Sequence, residues 1–326
     1  MSAPLLEVRD LRVHLSNGHQ QVTPVDGLSL SISRGSALGI VGESGSGKSL
    51  TLRAILGLLP PGGTVEGTIT FSPQPGSTKE ITAEQVRGNG VAMIFQEPMT
   101  ALNPTMRVGD LVAEGVRKQG GLDRKAARAR AIELLRSVGI PSSQERSRMW
   151  PHELSGGLRQ RVMIAAALST SPSLLLCDEP TTALDVTVQD QILGLLAQLR
   201  ADLGMALILV THDLAVVAEV CDRIAVMYAG QIVEMGDTED VLTSPRHPYT
   251  AALLASAPSF NSDSTQPLEG IGGQPPDPRA FPTGCRFAPR CRFAQDDCRT
   301  AVHEMVNVGG HATACIHPEV LRVSAP

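Results

Sequence analysis

The sequence predicts an α/β fold in which a mostly parallel sheet is covered by helices on both faces. Three observations carry this. Short apolar runs alternate with helical stretches along most of the chain. A glycine-rich turn, Gly42 to Ser49, joins one such run to a helical stretch. A second run, Leu174-Leu-Leu-Cys177, ends on two carboxylates, Asp178 and Glu179. The chain has 326 residues and is 42% apolar, enough for a sizeable core and too apolar for disorder. Its length suggests two domains.

The elements follow in order. Leu5 to Val13 and Leu28 to Ile32 alternate with the two-residue period of half-buried strands. Ala37-Leu-Gly-Ile-Val41 is uniformly apolar, as a buried central strand should be. Leu50 to Leu59 reads as a helix ended by Pro60-Pro-Gly-Gly63. Asp123 is placed to cap a helix from Arg124 to about Ser137. That helix is basic, with Arg124, Lys125, Arg128, Arg130 and Arg136. However, Ala127, Ala131, Leu134 and Leu135 form an apolar stripe, so the charges read as its solvated face. Further strands are expected at Leu174–Cys177, Ala206–Val210 and Arg223–Tyr228, a helix at Val188–Leu203, and a hairpin return at Gly230–Val233. Beyond about residue 243 the alternation stops. Residues 258–284 are rich in Pro, Gly and Ser and read as a linker or loose arm.

Composition excludes several functions. The formal net charge is −5, so no global basic field recommends nucleic acid, and aromatics are only 3%, leaving little to stack on bases. No apolar run reaches the ~18 residues of a membrane span. The N-terminus lacks a charged region followed by an apolar one, so it reads as a first strand rather than a signal peptide, and a cytoplasmic location is expected. Six cysteines there argue against a disulfide framework.

Gly42-Glu43-Ser44-Gly45-Ser46-Gly47-Lys48-Ser49 fits G-x-x-x-x-G-K-[ST], with a strand before it and a helix after it. Glycines let such a loop curl so that backbone N–H groups converge on phosphate oxygens, and the next helix adds its positive end. Lys48 should reach the β- and γ-phosphates, and Ser49 should ligate Mg²⁺. Asp178, at the end of a buried strand, would hold the same Mg²⁺. Glu179, next to it, would polarise an attacking water. His212, after the strand Ala206–Val210, would reach the γ-phosphate. Ser155, Gly156 and Gly157 open a helix and form a second set of anion-binding N–H groups.

This set, in this order, resembles the ATP-binding cassette family over about residues 5–240. Gly42–Ser49 resembles its Walker A motif, Gln96 its Q-loop glutamine, and Leu154–Gln160 its signature, with Leu158 in place of the usual Gln. Leu174–Glu179 resembles Walker B, Thr182-Ala-Leu-Asp185 the D-loop, and His212 the switch histidine. The resemblance implies a P-loop NTPase cassette over 1–242, with a RecA-like core and a helical subdomain near 96–150. It also implies ATP and Mg²⁺, the metal held by Ser49, Gln96 and Asp178, with Glu179 as catalytic base. Ser155, Gly156, Gly157 and Asp185 would serve ATP held by a second ATPase subunit, a different chain by preference, with a second copy of this chain as the alternative.

Phe95-Gln-Glu-Pro-Met-Thr-Ala-Leu-Asn-Pro104, Asp178 to Val186, Arg161-Val-Met-Ile-Ala165 and Pro245-Arg-His-Pro-Tyr-Thr250 are similar to the ATPases of oligopeptide and dipeptide importers. That similarity implies a place on the cytoplasmic face of the membrane, bound to two permease subunits and served by an extracytoplasmic peptide-binding protein. An ATPase of a nickel or other small-solute importer, or a cassette protein outside transport, is the alternative. Two departures stand out. No aromatic precedes Phe71 where cassettes stack adenine; Leu15 and His14 occupy that region, so weak discrimination between ATP and GTP is expected. Leu50 follows Ser49 where many cassettes have Thr, which removes one hydroxyl contact to phosphate.

The extension, 243–326, holds Cys285, Cys291, Cys298 and Cys315, spaced x5, x6 and x16. Cys177 and Cys221 read as packing residues of the cassette. The tail spacing matches neither a zinc ribbon nor a bacterial ferredoxin, so spacing alone leaves Zn²⁺, an iron–sulfur cluster and no metal open. Gly284 to Cys291, Cys298 and Ala314-Cys-Ile-His317 resemble the tail of peptide-importer ATPases, which implies a [4Fe–4S] cluster on the four cysteines, with His311 and His317 as competing ligands.

Overall fold

In the computed structural model of the chain, residues 4–16, 21–73, 79–80, 83–87, 89–182, 184–256, 270–300, 304–308 and 311–321 are described. Ala183 of the expected D-loop and the first part of the expected linker, 258–269, lie outside them. The chain forms two compact units. One comprises residues up to Leu6, Ile32–Ser36 and Phe71–Leu209; the other comprises Glu7–Ser31, Ala37–Thr70 and Val210 onward. Residues on both sides of 243 therefore fall in the same unit.

In the second unit, Ala37–Val41 is wholly buried and runs parallel to Arg223–Tyr228, with Val41 beside Val226. Arg223–Tyr228 turns back into Gln231–Asp237 as an antiparallel hairpin with an irregularity between Ile232 and Glu234. The tail extends this sheet. His311–Thr313 pairs antiparallel with Gln231–Asp237, and Val306–Val308 pairs with His311–Thr313. The sequence shows neither strand, because three residues are too few to display a period. The described residues 270–284 form no helix or strand, as their composition predicts. A separate sheet carries Gln21–Ile32, Leu6–Ser16 and Thr64–Phe71 in that order.

The helix after the glycine-rich turn runs Lys48–Ile55, shorter than Leu50–Leu59. Gly57 takes φ 61°, and Leu58 N–H reaches back to Arg53 O at 2.8 Å while Gly57 N–H bonds Ala54 O. That Schellman-type stop ends the helix before the prolines.

In the first unit, Val91–Ile94 runs parallel to Leu174–Asp178, with Ile94 beside Cys177. Helices Val108–Gly120, Arg124–Ser137 and Gly156–Leu168 pack against one another. Asp123 caps the second as expected, accepting from Ala126 N–H at 2.7 Å. Ala127, Ala131, Leu134 and Leu135 are buried, while the five basic residues of that helix are exposed. Arg128 forks onto one oxygen of Asp110. Cys177 and Cys221 are buried. No helix among the described residues is long and apolar enough to cross a membrane.

Candidate functional site

The strand pairing in the second unit shapes the phosphate loop. Because Val41 lies beside Val226, Gly42 emerges against Met227, and a Cβ there would collide with the Met227 carbonyl oxygen. Gly47 takes φ 103°, and a Cβ there would lie 2.8 Å from Met227 Cε and 2.9 Å from Pro24 O. Both positions therefore need glycine. Gly45, at φ 80°, faces open space. Gly47 also precedes the helix Lys48–Ile55, and no side chain caps that helix.

Lys48 is 5% exposed and curls back over the loop. Its Nζ donates to Gly42 O at 2.7 Å and to Glu43 O at 2.9 Å. An ammonium held by carbonyl oxygens of this loop is placed where phosphate oxygens could take over the same donors.

Glu43 is committed elsewhere. Its N–H donates to Tyr249 Oη at 2.8 Å, and its carboxylate receives both arms of Arg290, at 2.6 and 2.9 Å. Neither Tyr249 nor Arg290 is legible as a loop partner in the sequence. Tyr249 and Arg290 lie 206 and 247 residues from Glu43, too far for any spacing to signal the contact. His212 lies exposed just after the strand Ala206–Thr211, and Asp213 caps the next helix by accepting from Ala215 N–H.

In the first unit, parallel pairing of Ile94 with Cys177 brings Gln96 and Glu179 out at the same level, two residues further along each strand. Gln96 Nε2 donates to Glu179 Oε2 at 3.1 Å, and Thr182 Oγ1 donates to the same oxygen at 2.9 Å. Glu179 sits at φ 44°, a left-handed conformation that costs a non-glycine residue about 1–3 kcal/mol and recurs at functional positions. Asp178, one residue earlier, is 1% exposed. A buried carboxylate beside an oriented, strained one offers a cation ligand next to a base.

Ser155 and Gly156 open the helix Gly156–Leu168 at the surface, and the Ser155 side chain makes no capping bond. Gly157 is tight: a Cβ there would lie 2.8 Å from Val188 Cγ1. Asp185 caps Val186–Leu203 by accepting from Val188 N–H at 2.9 Å. Val186 beside it is 75% exposed.

The four tail cysteines line one apolar cavity with His247, Phe287, Phe293 and His317. Burial pushes the thiols of Cys285 and Cys291 up, and that of Cys315 up to about 12. To bind a metal these thiols would have to lose their protons to solvent and ligate as thiolates. His311 is not among the residues lining this cavity, and its Nε2 meets the fully buried Glu234 at 2.7 Å. His317 remains at the rim, within 4.8 Å of Asp297 and Cys298 and bonded to Asp297 at 2.9 Å.

The Pro245–Thr250 marker has a structural basis in the same region. Glu234 also accepts from the N–H groups of Arg246 and His247, while Tyr249 and Thr250 are fully buried.

Comparison with known proteins identifies the family. The ABC transporter family profile matches residues 25–182, and the oligopeptide/dipeptide transporter C-terminal region matches 233–298. The dipeptide transport ATP-binding protein DppD of Haemophilus influenzae is 46% identical, covering 96% of both chains. The oligopeptide transport ATP-binding protein OppD of Bacillus subtilis is 49% identical over 89% of this chain and 82% of its own. Among solved structures, cbiO1 of Clostridium perfringens, part of the ABC transporter complex cbiONQ, aligns with TM-score 0.61. It is 29% identical and covers 74% of this chain and 91% of its own. The ATP-binding cassette MJ0796, a dimer bound to ADP and Pi, aligns with TM-score 0.61 at 27% identity, over 72% of this chain and 98% of its own.

Proposed function

This chain belongs to the ATP-binding subunits of dipeptide and oligopeptide ABC transporters, and from that premise we propose that its ATP hydrolysis powers import of di- and oligopeptides through a multi-subunit transporter. The observation that carries the reading is the union in one chain of a phosphate loop shaped by obligatory glycines with a tail matching the peptide-transporter C-terminal region.

The loop N–H groups and Lys48 would hold the β- and γ-phosphates. Ser49, Asp178 and Gln96 would hold Mg²⁺, which when bound supplies positive charge against the phosphate oxygens. Glu179, oriented by Gln96 and Thr182, would take the proton of the attacking water, and His212 would contact the γ-phosphate. Ser155, Gly156, Gly157 and Asp185 would close over ATP held by a second, different ATPase subunit. The exposed Val186 beside Asp185 fits a surface that another chain covers. Two permease subunits would hold the pair at the cytoplasmic face of the membrane, with an extracytoplasmic binding protein delivering peptide. No nucleic acid is involved in this scheme.

All four tail cysteines line one apolar space, and this supports a cluster there. We infer a [4Fe–4S] cluster on Cys285, Cys291, Cys298 and Cys315, with Zn²⁺ as the alternative. Its role would be to cross-link a tail with little core of its own. Anaerobically purified protein should contain iron and acid-labile sulfide; stoichiometric zinc without sulfide would replace the cluster, and neither would remove it.

The function is tested by uptake of a labelled dipeptide, a longer peptide and nickel in cells carrying wild-type or Glu179→Gln protein. Loss of peptide uptake alone supports the reading. Loss of nickel uptake with peptide uptake intact replaces it with a metal importer.

A further inference from the structure

We propose that Arg290 of the cysteine-bearing tail is a positioning residue of the phosphate loop, and that with Tyr249 it holds Glu43, and so the loop, in the shape that receives ATP. The inference rests on the reading of Gly42–Ser49 as the ATP site.

The Arg290 side chain is only 4% exposed. All five N–H donors of its guanidinium have acceptors. Nε donates to Gly272 O, one terminal nitrogen to Glu43 Oε2 and Tyr228 Oη, and the other to Glu43 Oε1 and Ile271 O. The group also lies near the Tyr228 and Phe287 rings. A fork seated this completely has one orientation, and it fixes the carboxylate it meets. Tyr249 is equally constrained, being fully buried with its ring 4.6 Å from that of Tyr228 and 5.4 Å from that of Phe287.

Glu43 is therefore anchored at three points: side chain to Arg290, N–H to Tyr249, and carbonyl oxygen to Lys48. The third anchor must be given up. When Lys48 turns to phosphate it leaves the carbonyl oxygens of Gly42 and Glu43. Among the described residues, Arg290 and Tyr249 then hold Glu43 through groups that ATP does not recruit. A site held in shape before its ligand arrives binds more tightly than one that must be ordered by it.

The segment from Cys285 to Cys291 is built for this coupling. Its end cysteines face the apolar cavity, while Arg286 and Arg290 face the sheet and loop. Arg286 donates to Ala229 O at 2.6 Å and pairs with Asp26. The tail is thereby part of the nucleotide site rather than an appendage to it.

The test uses the purified full-length chain in its assembled transporter, with ATPase kinetics, fluorescent-ATP binding and thermal melting. Arg290→Gln and Glu43→Gln should each raise KM and Kd for ATP about tenfold while kcat stays within about twofold, the signature of weakened positioning before chemistry. The double variant should be no worse than either single one. Tyr249→Phe, which keeps the ring, should give a smaller rise of the same kind. Unchanged KM in Arg290→Gln and Glu43→Gln overturns the proposal. So does an equal rise in Arg286→Gln, which would show that tail attachment alone matters. Lys48→Ala separates the two levels: retained ATP binding there would refute the phosphate-loop reading itself, whatever Arg290 does.

Discussion

The phosphate loop and the signature turn are both glycine-containing entries to helices, and the structure treats them in opposite ways. The loop is enclosed. Lys48 is buried, Gly42 and Gly47 press on neighbouring backbone, and Glu43 is tied to two residues of the tail. At the signature turn, Ser155 and Gly156 are exposed and no side chain caps the helix. A site built to hold its ligand alone is ordered in advance. On the proposed reading, the turn meets a ligand carried by another chain, and its opening at the surface suits that role.

The contrast has measurable consequences. The largest effect is expected at Glu179, where Gln should leave ATP binding intact and slow turnover by about 10²–10⁴-fold; normal hydrolysis would remove the residue from its role. Next comes the loop against the turn. Lys48→Ala should abolish ATP binding by the isolated chain. Ser155→Arg should leave that binding unchanged and cut hydrolysis by the assembled complex about 100-fold. Equal loss of binding in both would erase the distinction.

Smaller still is the difference between two alanine substitutions followed by urea denaturation. Gly47→Ala meets a left-handed φ and contacts from Pro24 and Met227, so it should cost about 2–3 kcal/mol. Gly157→Ala asks only that Val188 give way and should cost about 1 kcal/mol. A reversed order would show that the loop is the more yielding of the two. The smallest effect concerns the base. His14 is occupied by Thr23 and Glu66, so ATP and GTP should compete on nearly equal terms; strong ATP preference would point to a stacking partner from elsewhere.

Elements with their own local cause are legible before folding. Ala37–Val41 and Arg223–Tyr228 announce themselves by unbroken apolarity, and Asp123 by its place before an amphipathic stripe. The glycine pattern of 42–49 marks its loop because no other residue tolerates those backbone angles. The early stop at Gly57 is not legible in the same way, since the left-handed turn that ends the helix competes with a leucine-rich continuation.

The α/β core, the candidate chemistry of Lys48, Asp178 and Glu179, and the four cysteines of the tail are legible in the amino-acid sequence alone. These depend on residue type and short spacing. The tertiary contacts alone settle that Gln96 and Thr182 share one oxygen of Glu179, that Glu234 is buried under His311 and the segment Pro245–Thr250, and that Arg290 grips Glu43. Each joins positions set by strand register or by chain return rather than by neighbourhood. Register follows from the packing of whole strands, and a contact between residues 43 and 290 leaves no period in the sequence to read.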